Sequence, residues 1–555
     1  MEQSRLLIAI VLSIAIFLAW QFIFNPQKPG QRQVKKVESP AAVQKQTAKA
    51  TEKPEKEAIE EPAPAEEPIV EETPPRQAET LTVDTPLYRA KISENGAVFY
   101  SFLLKKYRET VQKDSPLKQV LTGDENLGVG RLGFTGKGIT GLERAVFSSS
   151  LSSNQLEIND SPRNLTFVWR SPNGIIIEKT YKFSPDSYVV GMVVTIKNES
   201  SSAIQDHLFV VLNSKAPHEK RRYGFEGPSA LINNKLVEIK TKKLKEQNTF
   251  DGKIQWVGLQ SRYFMSVLIP GQIEEAGLHL ALKSDEFLIA QYRQPEKTIQ
   301  PGTQQTYTYQ LFMGPKKIQV LKAVGHNLQK AVNFGWFDFI AKPCLWLMNL
   351  FYSVIPNYGV AIIILTILVK LLLWPLGQKS YKSMSEMKKI QPLMKEIREK
   401  YKDDKQRMNQ EVMGLYRTYK INPLGGCLPM VVQLPVFFAL YRMLYEAIEL
   451  RHAPFFLWIN DLSAPDRLFH FNFSIPLMEP PYGIPVLTII MGASMLLQQK
   501  MSPPMGDATQ AKMMMFMPIV FTVIFINFSS GLVLYWLVNN IISIAQQYFT
   551  QKKYA

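Results

Sequence analysis

The sequence has few of the residues that build disulfide-bonded, metal-binding or hydrolytic proteins. Its 555 residues include two cysteines, Cys344 and Cys427, which are too few for a disulfide scaffold and too isolated for a tetrahedral metal site. The six histidines are scattered without ligand spacing, and P-loop and HExxH sequences are absent. Ser529 and Ser530 lack the preceding glycine of a nucleophile elbow. Redox, zinc and nucleotide chemistry are therefore poor candidates, and no cofactor is expected.

Acidic residues are missing from the long apolar runs. These runs occupy residues 6–24, 358–376, 427–445, 483–499, 513–528 and 532–549. Runs of this length between polar stretches are typical of a membrane protein with aqueous parts. Without Asp or Glu they cannot form intramembrane carboxylate pairs or carboxylate proton relays. We therefore expect a polytopic α-helical membrane protein with six transmembrane helices, and not an enzyme.

The N-terminal residues 1–25 are predicted to be an uncleaved transmembrane anchor. A helix over residues 6–24 would be about 28 Å long, which matches the hydrocarbon core of a bilayer. The run ends in Trp20, Phe22 and Phe24 and not in the small residues of a signal-peptide cleavage site. Residues 26–79 are rich in Pro, Glu and Lys, so we expect a disordered linker that cannot build a core.

Residues 80–330 are predicted to form one large all-β domain. Short alternating or β-branched runs cover residues 165–170, 175–183, 188–197 and 305–312. The break Ser171-Pro172-Asn173-Gly174 supplies turn residues able to adopt positive φ and predicts a hairpin. The β pattern itself covers residues 81 to about 314, and for a stretch of about 230 residues a single antiparallel sandwich is simpler than two domains. The domain contains no recognisable catalytic set.

The orientation in the membrane follows from charge and from residues 331–357. This stretch is aromatic but interrupted by Asp338, Lys342 and Pro343, so we expect an interfacial amphipathic helix and not a crossing. Residues 377–426 contain twelve Lys or Arg against six acidic residues, whereas residues 446–482 contain two against five. The positive-inside rule then places the basic loop and both termini in the cytoplasm, and the β domain in the periplasm.

Lys370 is the one charged residue within residues 358–376. An ionised lysine at the centre of a spanning helix costs about 2.5 to 3.5 kcal/mol. Either its side chain snorkels to the cytoplasmic head groups, or it faces a water-filled groove between helices. Polar residues in the apolar runs favour the groove, although interhelical hydrogen bonding would also account for them. They are Thr366, Gln433, Gln498, Asn539 and Asn540.

The basic loop is predicted to form a cytoplasmic helical hairpin over residues 380–420, with its turn at residues 402–405. Its apolar stripes carry Met384, Met387, Met394 and Met408. These methionines either pack the two helices together or form a flexible surface that captures apolar substrate segments.

A set of short segments is specific when taken together. The segments are Gln391-Pro392, Asn422-Pro423-Leu424-Gly425-Gly426-Cys427, Leu457-Trp458-Ile459 with Asp461-Leu462-Ser463, Gln499-Lys500-Met501-Ser502-Pro503, Phe516-Met517-Pro518 and Ser530-Gly531-Leu532-Val533-Leu534-Tyr535-Trp536. With the overall architecture, they resemble the YidC membrane protein insertases in their long Gram-negative form. The resemblance implies a five-helix insertase core over residues 358–555, with a hydrophilic groove open to the cytoplasm and to lipid. It also implies a periplasmic β super-sandwich.

The resemblance also implies a site and a function. A positive residue in the family's groove occupies the position of Lys370, with groove neighbours at Thr366, Gln433, Tyr535 and Trp536. The family commonly has arginine at the position of Lys370 and often has tyrosine at the position of Trp536. Lys370 therefore keeps the charge but loses the planar fork, and Trp536 removes a hydroxyl. The implied function is insertion and folding of integral membrane proteins in the bacterial inner membrane.

The implied partners are nascent membrane proteins as substrates, the phospholipid bilayer and the SecYEG translocon, with no specific nucleic acid. Ribosome docking is possible, but the basic tail is short, with Lys552 and Lys553 alone. Two other functions stay open at this point. The polar residues could line the path of a small-solute transporter or channel, or the β domain could be a binding module that the spans merely anchor.

Overall fold

The computed structural model describes residues 77–124, 126–136, 139, 141–151, 153–217, 224–419, 428–502 and 508–554. The expected N-terminal anchor, nearly all of the expected linker, the Asn422-to-Cys427 segment and Pro503 lie outside these residues.

The N-terminal half of the described chain is built from strands. They are β1 Thr80–Asp84, β2 Tyr88–Ser93, β3 Val98–Arg108, β4 Leu117–Gln119, β5 Arg131–Phe134, β6 Ser148–Ser149, β7 Gln155–Glu157, β8 Arg163–Arg170, β9 Ile175–Phe183, β10 Val189–Asn198, β11 Ile204–Asp206, β12 Leu208–Lys215, β13 Gly227–Ile232, β14 Lys235–Glu238, β15 Thr249–Gln260, β16 Phe264–Pro270, β17 Glu275–Lys283, β18 Phe287–Arg293, β19 Lys297–Ile299 and β20 Gln304–Pro315. Short 3-10 turns at Leu142–Arg144 and Thr241–Lys245 interrupt them.

These strands form two large sheets. The smaller has five strands in the order β4-β3-β2-β1-β7. The larger has 13 strands, with the path β5-β12-β18-β17-β15-β16-β20-β10-β9-β8-β6 and with β13 and β14 attached at β15. Strands β11 and β19 pair separately. The expected all-β domain is therefore confirmed.

Alternation of buried and less buried residues positions these strands. In β10, Val190, Met192, Val194 and Ile196 are completely buried while the intervening residues are partly exposed. A period of two places all four on the core face of the sheet. The predicted hairpin at residues 171–174 is also confirmed, because β8 and β9 pair antiparallel on either side of it and Gly174 has a φ of 77°.

One lysine lies inside the β domain. Lys179 on β9 is completely buried, and its ammonium donates to the carbonyls of Gly96, Ala97 and Gly130 at 3.2, 2.7 and 2.6 Å. The Tyr181 hydroxyl also donates to the Ala97 carbonyl, at 2.6 Å. A buried charge is tolerated when hydrogen bonds replace its lost hydration. Lys179 thus ties β9 to the loops that precede β3 and β5.

Helices follow the β domain. They are α1 Ile318–Val324, α2 Asp338–Val354, α3 Tyr358–Leu372, α4 Trp374–Lys389, α5 Gln391–Lys400, α6 Lys405–Thr418, α7 Leu428–Glu446, α8 Val486–Met501, α9 Ala508–Phe525 and α10 Ser530–Tyr554. Short 3-10 turns occur at Leu328–Ala331, Gly335–Phe337 and Ile448–Leu450, and a small antiparallel pair, β21 Leu468–Phe471 and β22 Tyr482–Ile484, precedes α8.

Helix α2 covers the stretch where an interfacial helix was expected. Ala341, Leu345 and Met348 are buried on one side, whereas Phe339 and Trp346 are exposed. Spacings of three and four residues place the buried side chains on one face. The helix is therefore amphipathic, with an aromatic outer face.

Among the described residues, no single helix combines the length and the apolarity of a membrane crossing. Helices α3 and α4 meet that criterion only as a pair, and they are bent by 64° relative to each other. Helix α8 and residues Met513–Phe525 of α9 are apolar but shorter. The six-span count stays a prediction.

The β domain contacts the helical part through the segment that follows α7. There, the Arg451 guanidinium donates to the Glu109 carbonyl at 3.1 Å, and its central carbon lies 5.4 Å from the centre of the Phe264 ring. At the end of α7, Arg442 and Glu446 form an ion pair of 2.9 Å. The Arg451 contacts hold one face of the β domain against the segment after α7, whereas the Arg442–Glu446 pair lies within the helix itself.

Candidate functional site

One face of α10 is polar although the helix is mostly apolar. Its members, spaced three or four residues apart, are Asn539, Asn540, Ser543, Gln546, Gln547 and Thr550, and all except Asn539 are buried. At 3.6 residues per turn they share one side of the helix. We call this set the polar stripe of α10. The polar side of the helix therefore faces its neighbours and not the surroundings.

The ammonium of Lys370 lies against this stripe. Lys370 is 9% exposed, and its Nζ donates to Ser543 Oγ at 2.7 Å. The Ser543 hydroxyl in turn donates to the Asn539 carbonyl at 2.6 Å. The hydrogen-bond partner of the ammonium is thus a neutral hydroxyl and not a carboxylate.

Ser543 is a site residue that the sequence prediction missed. The signal was present in the sequence, because Ser543 lies four residues from Asn539 and three from Asn540 and Gln546. Polar residues at that spacing in an apolar helix indicate one polar face.

Gln433 of α7 and Tyr535 of α10 lie near the same part of the polar stripe. Gln433 Nε2 donates to Asn539 Oδ1 at 2.9 Å, linking α7 to the polar stripe. Tyr535 is 3% exposed, and its hydroxyl lies beside Gln433. Lys370, Gln433 and Tyr535 therefore come from three helices and converge through Asn539 and its neighbours.

Thr366 and Trp536 have different surroundings. Thr366 is buried one turn from Lys370, but its hydroxyl donates to the Ile362 carbonyl of its own helix at 2.6 Å. Trp536 packs against Phe437 and Phe525, with ring centres 4.7 and 5.0 Å apart. Trp536 therefore belongs to an aromatic cluster between α7, α9 and α10, whereas Thr366 shares the buried side of α3 with Lys370.

Further hydrogen bonds join the polar stripe to α8 and α4. Asn540 Nδ2 donates to Ser494 Oγ at 3.1 Å, and Gln547 Nε2 donates to Ser502 Oγ at 3.4 Å. Gln546 Nε2 donates to the Trp374 carbonyl at 2.9 Å, at the bend between α3 and α4. Neutral amides and hydroxyls thus extend along α10 on both sides of Lys370.

The methionines of the basic loop divide between two environments. Met387 and Met394 are buried with Ile390 against Val412, Leu415 and Tyr416, whereas Met384 and Met408 are half-buried. The Tyr416 hydroxyl contacts Met394 Sδ at 3.6 Å. Met387 and Met394 therefore pack α4 and α5 against α6, and a role of these methionines in substrate capture stays a prediction.

The described residues contain no group of three or more His, Cys, Asp or Glu that could hold a metal ion. The groups that the site brings together are amides, hydroxyls and the ammonium of Lys370.

Comparisons with known proteins identify the family. Residues 350–555 match the family model described as 60Kd inner membrane protein, and residues 80–347 match the model of the YidC periplasmic domain. A membrane protein insertase YidC from Syntrophus aciditrophicus (strain SB) is 40% identical, over 99% of this chain and 100% of the relative. The chain belongs to the YidC membrane protein insertase family.

A second relative supports this assignment. The membrane protein insertase YidC of Geobacter metallireducens is 39% identical, over 100% of this chain and 99% of the relative. A solved structure titled "Active YidC insertase crystal structure with the first transmembrane domain resolved" is 20% identical, with a TM-score of 0.37, and covers 85% of this chain and 93% of its own.

Membership in the YidC family confirms the expected class of function. The chain is a membrane protein insertase of the inner membrane with a periplasmic β domain, and it is not an enzyme.

Proposed function

We propose that this insertase receives the polar leading segment of a substrate at Lys370, within a hydrated groove that α3, α7, α8 and α10 line on the cytoplasmic side of the membrane. The observation that carries the proposal is the ammonium of Lys370, buried against Ser543 in a neutral polar stripe. A positive charge without a fixed counter-ion can attract an acidic or polar segment that enters the groove.

The groove would shorten the distance that a polar segment has to travel through hydrocarbon. A polar segment that crosses hydrocarbon leaves its backbone and side-chain groups without hydrogen-bond partners, which costs several kcal/mol per group. Within the inner leaflet, side-chain amides and hydroxyls would offer the segment hydrogen bonds in place of water. These groups belong to Gln433, Asn539, Asn540, Ser543 and Gln546. The remaining barrier would then span about half of the membrane thickness.

The apolar part of the substrate would leave by a different surface. Ile489, Ile490 and Leu497 of α8, with Phe516 and Ile519 of α9, are exposed and form an apolar flank beside the polar interior. A substrate helix moving along this flank into lipid gains about 25 cal/mol per Å² of apolar area removed from water. No nucleotide is required for this step.

The basic hairpin of α4, α5 and α6 would face the cytoplasm, where substrates arrive. Its surplus of Lys and Arg supports this side by the positive-inside rule and suits contact with anionic lipid. Both termini would be cytoplasmic and the β domain periplasmic. SecYEG is a proposed partner, whereas Lys552 and Lys553 offer a ribosome a small basic surface.

Reconstitution into liposomes with a single-span substrate tests the role of Lys370. We expect Lys370→Arg to retain insertion, because the charge is kept, and Lys370→Glu to lose at least about tenfold with an acidic leading segment, which corresponds to 1.4 kcal/mol. A substrate with a basic leading segment should be affected less. Lys552→Glu is the matched control, since it makes the same charge change at an exposed position of α10.

Several outcomes would contradict the proposal. If Lys370→Arg and Lys370→Glu inserted both substrates equally well, the charge at position 370 would have no role in insertion. Flux of a small solute through sealed vesicles without protein insertion would favour a transporter. Loss of all insertion when residues 81–310 are deleted would place the function in the β domain.

A further inference from the structure

The segment between α7 and α8, which contains β21 and β22, exposes several large apolar side chains. Phe456 and Leu457 are 56% and 86% exposed, and Phe469, Phe473 and Leu477 are 68%, 64% and 77% exposed. Single exposed apolar residues are ordinary on a protein surface, but several within a short segment indicate a contact surface.

This segment is built rigidly onto the ends of the helices. Arg467, which is buried, donates to the carbonyls of Pro481 and Ile526 at 2.9 and 2.8 Å. Asn527 donates to the Leu477 carbonyl at 2.8 Å and accepts from the Glu479 N–H at 2.8 Å. Since residues 526 and 527 lie between α9 and α10, the pair β21 and β22 is held where these two helices meet.

A second attachment fixes the same segment to α8. Asp466 is buried, and its carboxylate accepts from the Trp458 indole and from the Leu487 N–H at the start of α8. The exposed aromatic side chains are therefore held at one end of α8, α9 and α10, which is the periplasmic end in the proposed topology.

Backbone geometry is also unusual at three of these positions. Leu457, Phe469 and Leu477 have φ values of 58°, 51° and 66°. Residues with large side chains rarely adopt positive φ, where glycine or asparagine is favoured. Three of the most exposed apolar residues of the loop thus occupy strained backbone positions.

Charge decides the kind of partner that fits. Between Leu468 and Ile484 the sequence contains one acidic residue, Glu479, and no Lys or Arg. Phe471 and Phe473 stack with ring centres 5.2 Å apart. Aromatic side chains without cations match the interfacial zone of a bilayer, where aromatic rings are enriched, and do not match an anionic partner.

The surface is also continuous with the apolar flank of the helices. Ile484 is exposed at the end of β22, and Ile489 and Ile490 follow on the exposed side of α8. We propose that residues 468–484, with Phe456 and Leu457, form an interfacial anchor that inserts its aromatic and leucine side chains into the outer leaflet of the bilayer. This inference rests on the proposed topology of the insertase, which places that end of α8 at the periplasmic surface.

Nitroxide depth measurement on the reconstituted full chain tests the anchor. In a Cys344→Ala, Cys427→Ala background, we would label Phe469→Cys, Phe473→Cys and Leu477→Cys in phosphatidylcholine vesicles. The expected result is greater accessibility of each label to oxygen than to a water-soluble nickel chelate. Labels at Glu479→Cys, on the same segment, and at Lys113→Cys, on the β domain, should show the opposite order.

A label at Ile490→Cys separates this inference from the proposed topology. If position 490 reports lipid while positions 469, 473 and 477 report water, the anchor is wrong and the topology stands. If position 490 also reports water, the proposed placement of α8 is itself overturned. Labels inaccessible to both reagents would show that protein, such as a second copy of this chain, covers the surface, and would also overturn the anchor.

Discussion

Arg262 of the β domain stacks on Tyr445 at the end of α7. The central carbon of its guanidinium lies 3.8 Å from the centre of the Tyr445 ring, and the same group donates two hydrogen bonds to the Tyr445 carbonyl, at 2.8 and 2.5 Å. A helix carbonyl near a C-terminus lacks an intrahelical partner, so the guanidinium satisfies it from another domain. This contact joins residues that are 183 positions apart.

Replacing Arg262 should weaken the docking of the β domain. We expect Arg262→Ala to destabilise the contact by about 2 to 4 kcal/mol, because a charged hydrogen bond and a cation–π contact are both lost. Faster hydrogen–deuterium exchange in residues 443–451 would report the change. Arg293→Ala is the control, since Arg293 is 43% exposed and its contact with Asp251 is 3.9 Å long. Equal exchange in the two variants would contradict the prediction.

Strand β9 contains a buried lysine, Lys179, and an exposed one, Lys182, so the same substitution can be compared at both positions. We expect Lys179→Met to lower the free energy of unfolding of the β domain by about 2 to 4 kcal/mol, because three buried carbonyls lose their donor. Lys182→Met should change it by less than about 0.5 kcal/mol, since Lys182 is exposed. Thermal unfolding of the full chain in detergent measures both. A Lys179→Met variant as stable as Lys182→Met would show that those carbonyls are satisfied in another way.

Asp124 should make stability depend on pH. Lys283 donates to its carboxylate at 2.8 Å and the Asn126 N–H donates at 3.0 Å, and these bonds hold the pKa of Asp124 below its usual value although burial opposes them. A depressed pKa stabilises the fold above the unfolded-state value of about 3.9, and the stabilisation is lost as pH falls through the folded-state pKa.

The test compares wild type with Asp124→Asn. Their difference in unfolding free energy should be constant between about pH 5 and 7 and should shrink below about pH 4, where wild type also loses its charge. Asp251→Asn serves as the control because Asp251 is 70% exposed. A difference for Asp124→Asn that does not vary with pH would be inconsistent with the ion pair.

Ser543 should position the ammonium of Lys370. We expect Ser543→Ala to remove a hydrogen bond to a charged group, worth about 1.5 to 3 kcal/mol, and to reduce insertion of substrates with acidic leading segments. Ser543→Thr keeps a hydroxyl and should restore insertion. Ser494→Ala is the control, because Ser494 binds the neutral amide of Asn540. A selective loss with acidic substrates, absent from Ser494→Ala, would separate this role from a general loss of packing.

The sequence was most informative where the periodicity of one segment decides the structure. Alternation in residues 175–183 predicted β9 with its bounds, and Gly174 predicted the preceding hairpin, because both depend on nearest neighbours. Lys370 stood out because a lone charge in an apolar run is costly.

Long-range partners could not be predicted in this way. The contact of Lys370 with Ser543 spans 173 positions, and that of Arg262 with Tyr445 spans 183. Such pairs depend on how helices and domains pack, which a single sequence does not encode locally. For the same reason the aromatic surroundings of Trp536 were not foreseen.

The inward polar face of α10 has a consequence for how this molecule itself is made. At 1.5 Å per residue its 25 residues extend about 37 Å, and the six side chains of the polar stripe would meet hydrocarbon if the helix entered lipid alone. The helix is stable in the bilayer only when α3, α7 and α8 are in place to form hydrogen bonds with those side chains. Helix α10 must therefore pack into the bilayer after α3, α7 and α8 have entered it, so the insertase itself contains a segment that is difficult to insert.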